Sequence, residues 1–581
     1  MQGFDTPRTN SVNCNDFDRK DCRPPGITLK RYGLSLVFII LFGLATGPAG
    51  ADTALHNITG YTSTDAGIRK FDVLVFDDQG RVLAAGEHDL LMRYPDAERI
   101  DGRGKFVLPG LTDAHAHVYS QGFLSISLNL AGSTSLEDAV SEIAAFARSG
   151  PQRGWLLGRG WNQVLWPVRE FPNASDIDAV VNKRPVWLRR IDGHAGWANS
   201  YTLELAGIGK NTPDPVGGKI IRDRNGEATG VLVDMAMGLV EAHIPAPGKA
   251  GIRDAYLKAV ESLLALGMTG VHDTGINITE AEVYMSMADN GELGMRIYAM
   301  LSGAGANLDA MRRPLRAYGN DHLDIAAVKL YADGALGSRG AAMIDPYSDD
   351  VENHGLPYHT QNELDGFVQK ANGMGFQVGI HAIGDLGNRM ALDAFEKAQS
   401  GKASPLRNRI EHAQIIALDD IARFSKLGVI ASMQPTHATS DMNMAEDRIG
   451  PDRIKGGYAW RRLLDSGAVI AGGSDFPVEL PNPFLGLYAA VTRQDSNGYP
   501  DGGWYADQAL TRAEALHSFT LGAAFAAHQE DRLGSLEAGK WADFIVVDRD
   551  YFEIPAAEID DIRVLQTWVG GKLVFDAAEA E

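Results

Sequence analysis

Short apolar runs alternate with helical stretches along most of the chain. This alternation is typical of parallel strands that are joined by crossover helices. The candidate strands are 106–117, 268–274, 295–301, 325–333, 377–383, 409–413, 428–433 and 468–475. They are as many as a (β/α)8 TIM barrel needs, so the pattern predicts an α/β fold built on such a barrel.

The two ends of the chain share a different pattern, in which strand-like runs are separated by turn residues. These runs are 71–76, 81–86, 542–548 and 569–575. We therefore expect a small composite β-sandwich domain formed by both ends of the mature chain. The predicted boundaries are 52–106 and 537–581 for the two parts of the β-sandwich and 107–536 for the barrel.

One long interval, about 150–265, contains no candidate barrel strand and is rich in Trp, Gly and Pro. It follows the first candidate strand, so we interpret it as an insertion that builds the mouth of the barrel. An apolar pocket lined by its indoles would favour a hydrophobic or aromatic substituent on a substrate, although packing is the commoner role of tryptophan.

The N-terminal region has the layout of a secretory signal peptide over residues 1–51. Lys30 and Arg31 form a basic flank, an apolar run follows as far as Thr46, and Ala49-Gly-Ala51 resembles a cleavage site. The apolar run is shorter than the roughly 20 residues that span a bilayer. We therefore expect cleavage and a periplasmic or secreted protein, with an uncleaved membrane anchor as the alternative. The long polar leader leaves open a start codon further downstream.

Composition narrows the class of protein. Of the 581 residues, 45% are apolar and 22% are charged, which is typical of a globular chain. The net charge of −21 argues against a broad nucleic-acid surface. Both cysteines, Cys14 and Cys22, precede the expected cleavage site. The mature chain would then have neither disulfides nor thiol catalysis, and only histidines and carboxylates could serve as metal ligands.

The first candidate strand ends in the motif His115-Ala-His117. Residues two apart on a strand face the same way, so both imidazoles should point to one place. The carboxyl end of a barrel strand is also the face that carries active sites. The motif therefore predicts a pair of functional histidines at the mouth of the barrel.

Later strand ends deliver further candidate ligands. Lys329, Tyr331 and Asp333 share one face of the run 325–333. Other strand-end candidates are His381, His412 and Asp475. A single buried histidine or lysine usually has a structural role. Repeated placement of such residues at strand ends instead indicates one shared site.

The order HxH, Lys, His, His, Asp on the first, fourth, fifth, sixth and eighth strands resembles the amidohydrolase superfamily. Further segments resemble its amidohydrolase 3 branch, the metal-dependent hydrolases typified by N-substituted formamide deformylase. These segments are Asp192–Asn199, Ala332–Arg339, His381–Asp385, Ile410–Ala413 and Met433–His437. The resemblance covers nearly the whole mature chain, including the composite β-domain.

The resemblance implies one or two divalent metal ions. His115 and His117 would hold one ion with Asp475, and the second would be held by His381 and His412. Lys329 would bridge the two ions after reaction with carbon dioxide to form a carbamate, because an ammonium group cannot bind a cation. Nitrogen and oxygen ligands without sulfur favour zinc, with manganese, iron or cobalt as alternatives. A site with one metal ion is the other alternative.

The resemblance also implies an activity. A metal-bound hydroxide would attack a carbon–nitrogen bond other than a peptide bond, as in an N-substituted formamide, an N-acyl amine or a cyclic amide. Asp475 would act as general acid and base, and either the second metal ion or His194 would polarise the carbonyl. An ester or lactone hydrolase with the same site is the alternative. A non-catalytic metal-binding barrel is a further one, although every ligand is present.

Substrate contacts and partners are also predicted. The candidate substrate-binding residues are Trp161, Tyr331, Asp333 and His437. We expect a small-molecule amide substrate, no nucleic-acid partner and no stable membrane association after signal cleavage. Nothing in the pattern argues against a homodimer.

Overall fold

A computed structural model describes residues 51–64, 66–149, 154–190, 195–215 and 218–580. The described residues belong to one compact unit. The predicted signal peptide lies outside them, apart from its last residue, Ala51. No helix in the described part of the chain is long and apolar enough to cross a membrane.

The strands are numbered here in chain order. They are β1 (Thr53–Thr64), β2 (Gly67–Phe76), β3 (Val82–Gly86), β4 (Glu98–Pro109), β5 (Leu111–Ala116), β6 (Leu128–Asn129), β7 (Leu156–Trp161), β8 (Val186–Arg190), β9 (Ala195–Ala198), β10 (Gly218–Arg222), β11 (Ala228–Asp234), β12 (Met268–Ile276), β13 (Arg296–Ser302), β14 (Leu315–Ala317), β15 (Leu323–Tyr331), β16 (Gln377–Ala382), β17 (Arg409–His412), β18 (Ile430–Met433), β19 (Ile470–Gly472), β20 (Phe544–Val547), β21 (Val564–Val569) and β22 (Lys572–Asp576).

A nearly closed barrel of parallel strands forms the centre of the molecule. Its strands follow the order β5, β12, β13, β15, β16, β17, β18, β19, and β14 pairs with β15. The last and first strands meet through the Asp113 carboxylate, which accepts hydrogen bonds from the Ser474 backbone N–H at 3.0 Å and from its hydroxyl at 2.6 Å. The predicted α/β barrel is confirmed.

Helices connect the barrel strands and cover the outside of the barrel. The principal ones are Val118–Ile126, Lys249–Ala265, Ile278–Asp289, Ala306–Met311, Gln361–Gly373, Asp385–Ala398, Ile421–Leu427, Pro435–Asp441, Ala445–Arg453, Trp460–Asp465, Pro483–Thr492, Arg512–Ser518 and Leu521–Ala526. Apolar side chains of these helices and of the barrel strands share one continuous buried core. The core leaves the carboxyl ends of the strands free to carry polar residues.

The first barrel strand is shorter than predicted. The apolar run 106–117 is divided at Gly110, because β4 ends at Pro109 and β5 begins at Leu111. A Cβ on Gly110 would lie 2.1 Å from the hydroxyl oxygen of Thr269, so glycine is what lets the chain pass from one sheet to the other here. The predicted boundary between residues 106 and 107 therefore falls inside a strand.

Strands from both ends of the described chain form one seven-stranded sheet, which confirms the composite β-domain of the predicted fold. Its order is β22, β21, β20, β4, β1, β2, β3. Strand β4 pairs with β1 in parallel and with β20 in antiparallel orientation. Strand β1 was not predicted, because its sequence TALHNITGYTST contains few of the apolar residues that mark a strand.

The insertion after the first barrel strand forms a separate six-stranded sheet, in the order β10, β11, β9, β8, β7, β6. It begins at Leu128, earlier than the predicted residue 150, because β6 has only two residues and gives no periodic signal. The predicted end at 265 is also wrong. The helix Lys249–Ala265 belongs to the barrel, since its buried side chains join the barrel core.

Candidate metal centre and active site

The predicted ligands lie together at the carboxyl ends of the barrel strands. They line a cavity of about 370 Å³. The predicted residues on its wall are His115, His117, Lys329, Tyr331, His381, His412, His437 and Asp475. Ile383, Gln414 and Asp441 add to this wall, beside a short loop that carries Val478 and Glu479.

His115, His117 and Asp475 form one group whose ligand atoms all lie within 4.8 Å of one another. The Asp475 Oδ1 atom is 3.2 Å from His117 Nε2 and 3.6 Å from His115 Nε2. This is the first ion position that the sequence indicated. The backbone N–H of Asp475 also donates to the His115 carbonyl at 2.8 Å, which ties the two strand ends together.

Asp475 also faces a second group, with His412 and His437. Its Oδ2 atom lies 4.0 Å from His412 Nδ1 and 3.7 Å from His437 Nε2. The His381 ring is close as well, with its centroid 4.6 Å from that of His412. The structure thus brings His437, which was predicted to contact substrate, as near to Asp475 as the predicted ligands are.

Lys329 lies on the floor of the cavity with 1% of its surface exposed. Its Nζ donates to His115 Nε2 at 3.2 Å and lies 5.2 Å from the centre of the Tyr331 ring. Burial lowers the pKa of Lys329 to about 8, since no solvent stabilises the charged form, although the nearby carboxylates of Glu411 and Asp475 favour that form. The neutral amine is therefore accessible near neutral pH.

Burial disfavours the charged form of three histidines of the site, His115, His381 and His412. It lowers the pKa of His115 to about 4 and that of His381 to about 3, and the charge of Lys329 acts in the same direction. Burial also opposes the charge of Asp475, but the neighbouring imidazoles, His117 foremost, outweigh it and lower the Asp475 pKa to about 2. Neutral imidazoles around an ionised carboxylate match the ligand states that a metal ion requires.

Behind His115 lies a buried ion pair to which the sequence analysis gave no role. Glu411 Oε2 accepts a hydrogen bond from His115 Nδ1 at 2.5 Å. Arg409 in turn donates to Glu411 Oε1 from its Nε at 2.5 Å and to the Ser432 hydroxyl at 2.6 Å. A carboxylate behind a metal-binding histidine fixes the ring and its tautomer. The available signal was two opposite charges, Arg409 and Glu411, placed two residues apart in a strand-like run.

Two site residues have strained backbone. His412 has φ of 73° and Asp475 has φ of 63°, in the left-handed region that favours glycine. Such conformations cost about 1–3 kcal/mol and persist only where the surrounding structure imposes them. Here both follow short barrel strands and turn their side chains toward the same cavity.

The donor set fits a divalent metal ion. Among the described residues, His381 Nε2 and Asp475 Oδ1 are buried side-chain atoms without any hydrogen-bond partner. Burying such atoms without a partner is costly, so they indicate a missing ligand. Imidazole and carboxylate groups are the ligands that zinc and related ions take.

Of the other predicted residues, only some lie at the cavity. Tyr331 lines the cavity and is 37% exposed. Asp333 does not line it, because its buried carboxylate accepts hydrogen bonds from the backbone N–H groups of Ala342, Ile383 and Gly384. Trp161 is fully buried in the core of the six-stranded sheet and donates to the Leu188 carbonyl at 2.7 Å. His194 lies outside the described residues.

Comparison with known proteins agrees with this geometry. The model of the amidohydrolase family matches residues 98–575 of the chain. The chain belongs to the amidohydrolase family. The match covers the barrel, the inserted sheet and, in the seven-stranded sheet, β4, β20, β21 and nearly all of β22.

Relatives of this amidohydrolase span nearly its whole length. YtcJ of Bacillus subtilis (strain 168), whose name assigns it to the amidohydrolases, is 32% identical over 528 residues, 89% of this chain and 98% of that protein. N-substituted formamide deformylase of Arthrobacter pascens is 30% identical over 507 residues, 83% of this chain and 90% of that protein.

A solved structure shares the fold. An uncharacterized metal-dependent hydrolase from Pyrococcus furiosus superposes with a TM-score of 0.73 at 29% identity, covering 87% of this chain and 100% of that one. The predicted family and the predicted class of enzyme, a metal-dependent amidohydrolase, are confirmed.

Proposed function

We propose that this amidohydrolase cleaves a carbon–nitrogen bond of a small amide other than a peptide. The candidate substrates are N-substituted formamides, N-acyl amines and cyclic amides. The observation that carries the proposal is the convergence of several imidazoles and the Asp475 carboxylate on one cavity. Among the described residues, His381 Nε2 and Asp475 Oδ1 are buried there without a hydrogen-bond partner. The similarity to an N-substituted formamide deformylase supports this substrate class.

His115, His117 and Asp475 would hold one divalent ion, and His381 and His412 would hold a second, with zinc the best match to these ligands. When bound, such ions act as Lewis acids and lower the pKa of water from 15.7 to about 7. Glu411 supports this role, because its hydrogen bond to His115 Nδ1 leaves the Nε2 lone pair directed into the cavity.

Lys329 is proposed to bridge the two positions as a carbamate. The neutral Nζ would attack the carbon of carbon dioxide and lose one proton, which gives a carboxylate-like group with two oxygen donors. The lowered pKa of Lys329 supports this step, because only the unprotonated amine is nucleophilic. Its Nζ lies 3.2 Å from His115 Nε2.

Asp475 is proposed to move the proton during hydrolysis. Its carboxylate is ionised at neutral pH and lies between the two histidine groups, so it can accept a proton from the attacking water. The same carboxyl group would then donate that proton to the leaving nitrogen. The predicted alternative contribution of His194 remains a proposal.

The localisation of the enzyme, its partners and its oligomeric state are also proposed. The signal-like N-terminal sequence supports a periplasmic or secreted protein, and sequencing the N-terminus of exported protein tests this. A small-molecule amide is the proposed partner, without nucleic acid or stable membrane association. A homodimer is compatible with this proposal, and light scattering measures it.

A substrate panel tests the proposed reaction. Metal-stripped protein is reloaded with zinc, and kcat/KM is measured for matched formamides, acetamides, carbamates and lactones, with Asp475→Asn as the matched inactive variant. We expect turnover of the amides that depends on zinc and on Asp475. Turnover of lactones alone would show that the enzyme cleaves esters and not amides. An active preparation without bound metal would refute the proposed metal site.

A further inference from the structure

We propose that His437 is a catalytic hydrogen-bond donor and not a metal ligand, and that it binds the carbonyl oxygen of the substrate. This inference rests on the proposed amide hydrolysis. His437 differs from His115, His381 and His412 in the hydrogen-bond partner of its ring.

A neutral imidazole has one nitrogen that donates and one that accepts, so the partner of Nδ1 decides what Nε2 can do. The partner of His115 Nδ1 is the Glu411 carboxylate, which can only accept. His381 faces the backbone of Gly334, and its Nε2 is the nitrogen without a hydrogen-bond partner among the described residues. In both rings Nε2 therefore keeps the lone pair that a metal ion requires, and in His115 this lone pair accepts from Lys329 Nζ.

His412 follows the same rule. Its Nδ1 lies 2.8 Å from Gln434 Oε1. The amide nitrogen of Gln434 is already committed to the Ser432 carbonyl at 3.2 Å, so its oxygen is the atom that faces His412. His412 Nδ1 thus donates, and Nε2 presents a lone pair.

His437 has the opposite arrangement. Gln414 Nε2 donates to His437 Nδ1 at 3.1 Å, which uses the lone pair on that nitrogen. Because Nδ1 accepts, the ring hydrogen is on Nε2, and an N–H group cannot bind a cation. Among the described residues His437 Nε2 is buried without a hydrogen-bond partner, 3.7 Å from Asp475 Oδ2. This N–H is therefore available to an oxygen atom in the cavity.

The carbonyl oxygen of an amide gains negative charge when water adds to its carbon. A fixed N–H beside that oxygen stabilises the charge without any proton transfer, and removal of one such donor typically lowers kcat by about 10²- to 10³-fold. The His437 ring is held for this task, since it stacks on His412 with ring centroids 5.8 Å apart and is hydrogen-bonded to Gln414. The contact with Gln414 is made at Nδ1, so it leaves Nε2 without a partner among the described residues.

Matched phenylalanine variants test the assignment. Zinc is titrated into metal-stripped wild type, His437→Phe and His412→Phe, and kcat is measured with an amide that the wild type hydrolyses. We expect His437→Phe to keep the zinc stoichiometry and affinity of wild type while kcat falls roughly 100-fold. His412→Phe should lose the zinc of the second position. A His437→Phe variant that loses zinc as His412→Phe does, or that keeps full kcat, would overturn the inference.

A second variant separates donation from ring packing. His437→Gln places an amide N–H near the position of Nε2, so kcat should recover at least about tenfold over His437→Phe. Equal kcat in the two variants would refute the donor role. If wild type hydrolyses no amide, the proposed function fails, whereas the zinc titrations still decide whether His437 is a ligand.

Discussion

The mouth of the barrel differs from the seven-stranded sheet in how its polar atoms are partnered. At the mouth, His412 and Asp475 have left-handed backbone, and Asp475 Oδ1 has no hydrogen-bond partner among the described residues. In the sheet, the Asp543 carboxylate beside β20 receives two hydrogen bonds from Arg296, at 2.5 and 2.8 Å, and a third from the Gly570 backbone N–H.

This difference separates the part of the molecule that binds ligands from the part that stabilises the fold. Unpartnered atoms and strained backbone destabilise a protein unless a ligand compensates them. Satisfied ion pairs and apolar contacts stabilise it without regard to ligand. We therefore expect substitutions at the mouth to change metal binding and rate, and substitutions in the sheet to change stability.

The largest effect is expected at Lys329. Lys329→Ala removes the proposed bridging group, so metal content and activity should be lost together. Elemental analysis and kcat measure the two losses, and added acetate or propionate should restore part of both by supplying oxygen donors. Full metal content in active Lys329→Ala protein would exclude the carbamate.

Asp475→Asn should lower kcat by about 10²- to 10⁴-fold, the usual contribution of general acid–base catalysis. The four histidine ligands remain, so the protein should still bind metal. The Tm of metal-stripped protein should change little, because asparagine keeps the size of the side chain and tolerates the left-handed backbone at this position. A clear fall in Tm would contradict the expectation that the mouth of the barrel contributes to catalysis and not to stability.

Asp543→Ala should have the opposite profile. It leaves Arg296 buried without its carboxylate, which typically costs about 3–5 kcal/mol in the free energy of unfolding. Denaturant titration measures this loss, and kcat/KM of the remaining folded protein should match wild type. Equal stability of variant and wild type would show that the ion pair does not hold the sheet to the barrel.

Ile545→Val gives the smallest expected effect. The side chain is fully buried in β20 and packs against the barrel core. Loss of one methylene should lower stability by about 0.5–1.5 kcal/mol and leave kcat unchanged. A reduced kcat in this variant would mean that the sheet transmits strain to the mouth.

Much of the fold could be predicted because the barrel strands are short apolar runs and their polar ends stand out. His115, His381 and Asp475 were found in this way. The division at Gly110 was not, because the apolar pattern continues across it and the contact with Thr269 is distant in sequence. Tertiary packing, not periodicity, places that break.

The partners of the histidines were also beyond the sequence. Whether a ring nitrogen faces a carboxylate, as for His115, or an amide N–H, as for His437, depends on residues of neighbouring strands and loops. The burial of Trp161 has the same origin, since a tryptophan in a predicted insertion could equally line a pocket. Only the packed sheet shows which side of the indole is covered.

The pairing of β4 with β20 also determines when the sheet can be completed during synthesis. Phe544 pairs with Pro109, so one edge of β4 has no partner until the ribosome has added more than about four hundred further residues. During that time the edge can pair with strands of other chains. We therefore expect aggregation of the nascent protein to depend on the last part of the chain, since β20 covers that edge once it has been synthesised.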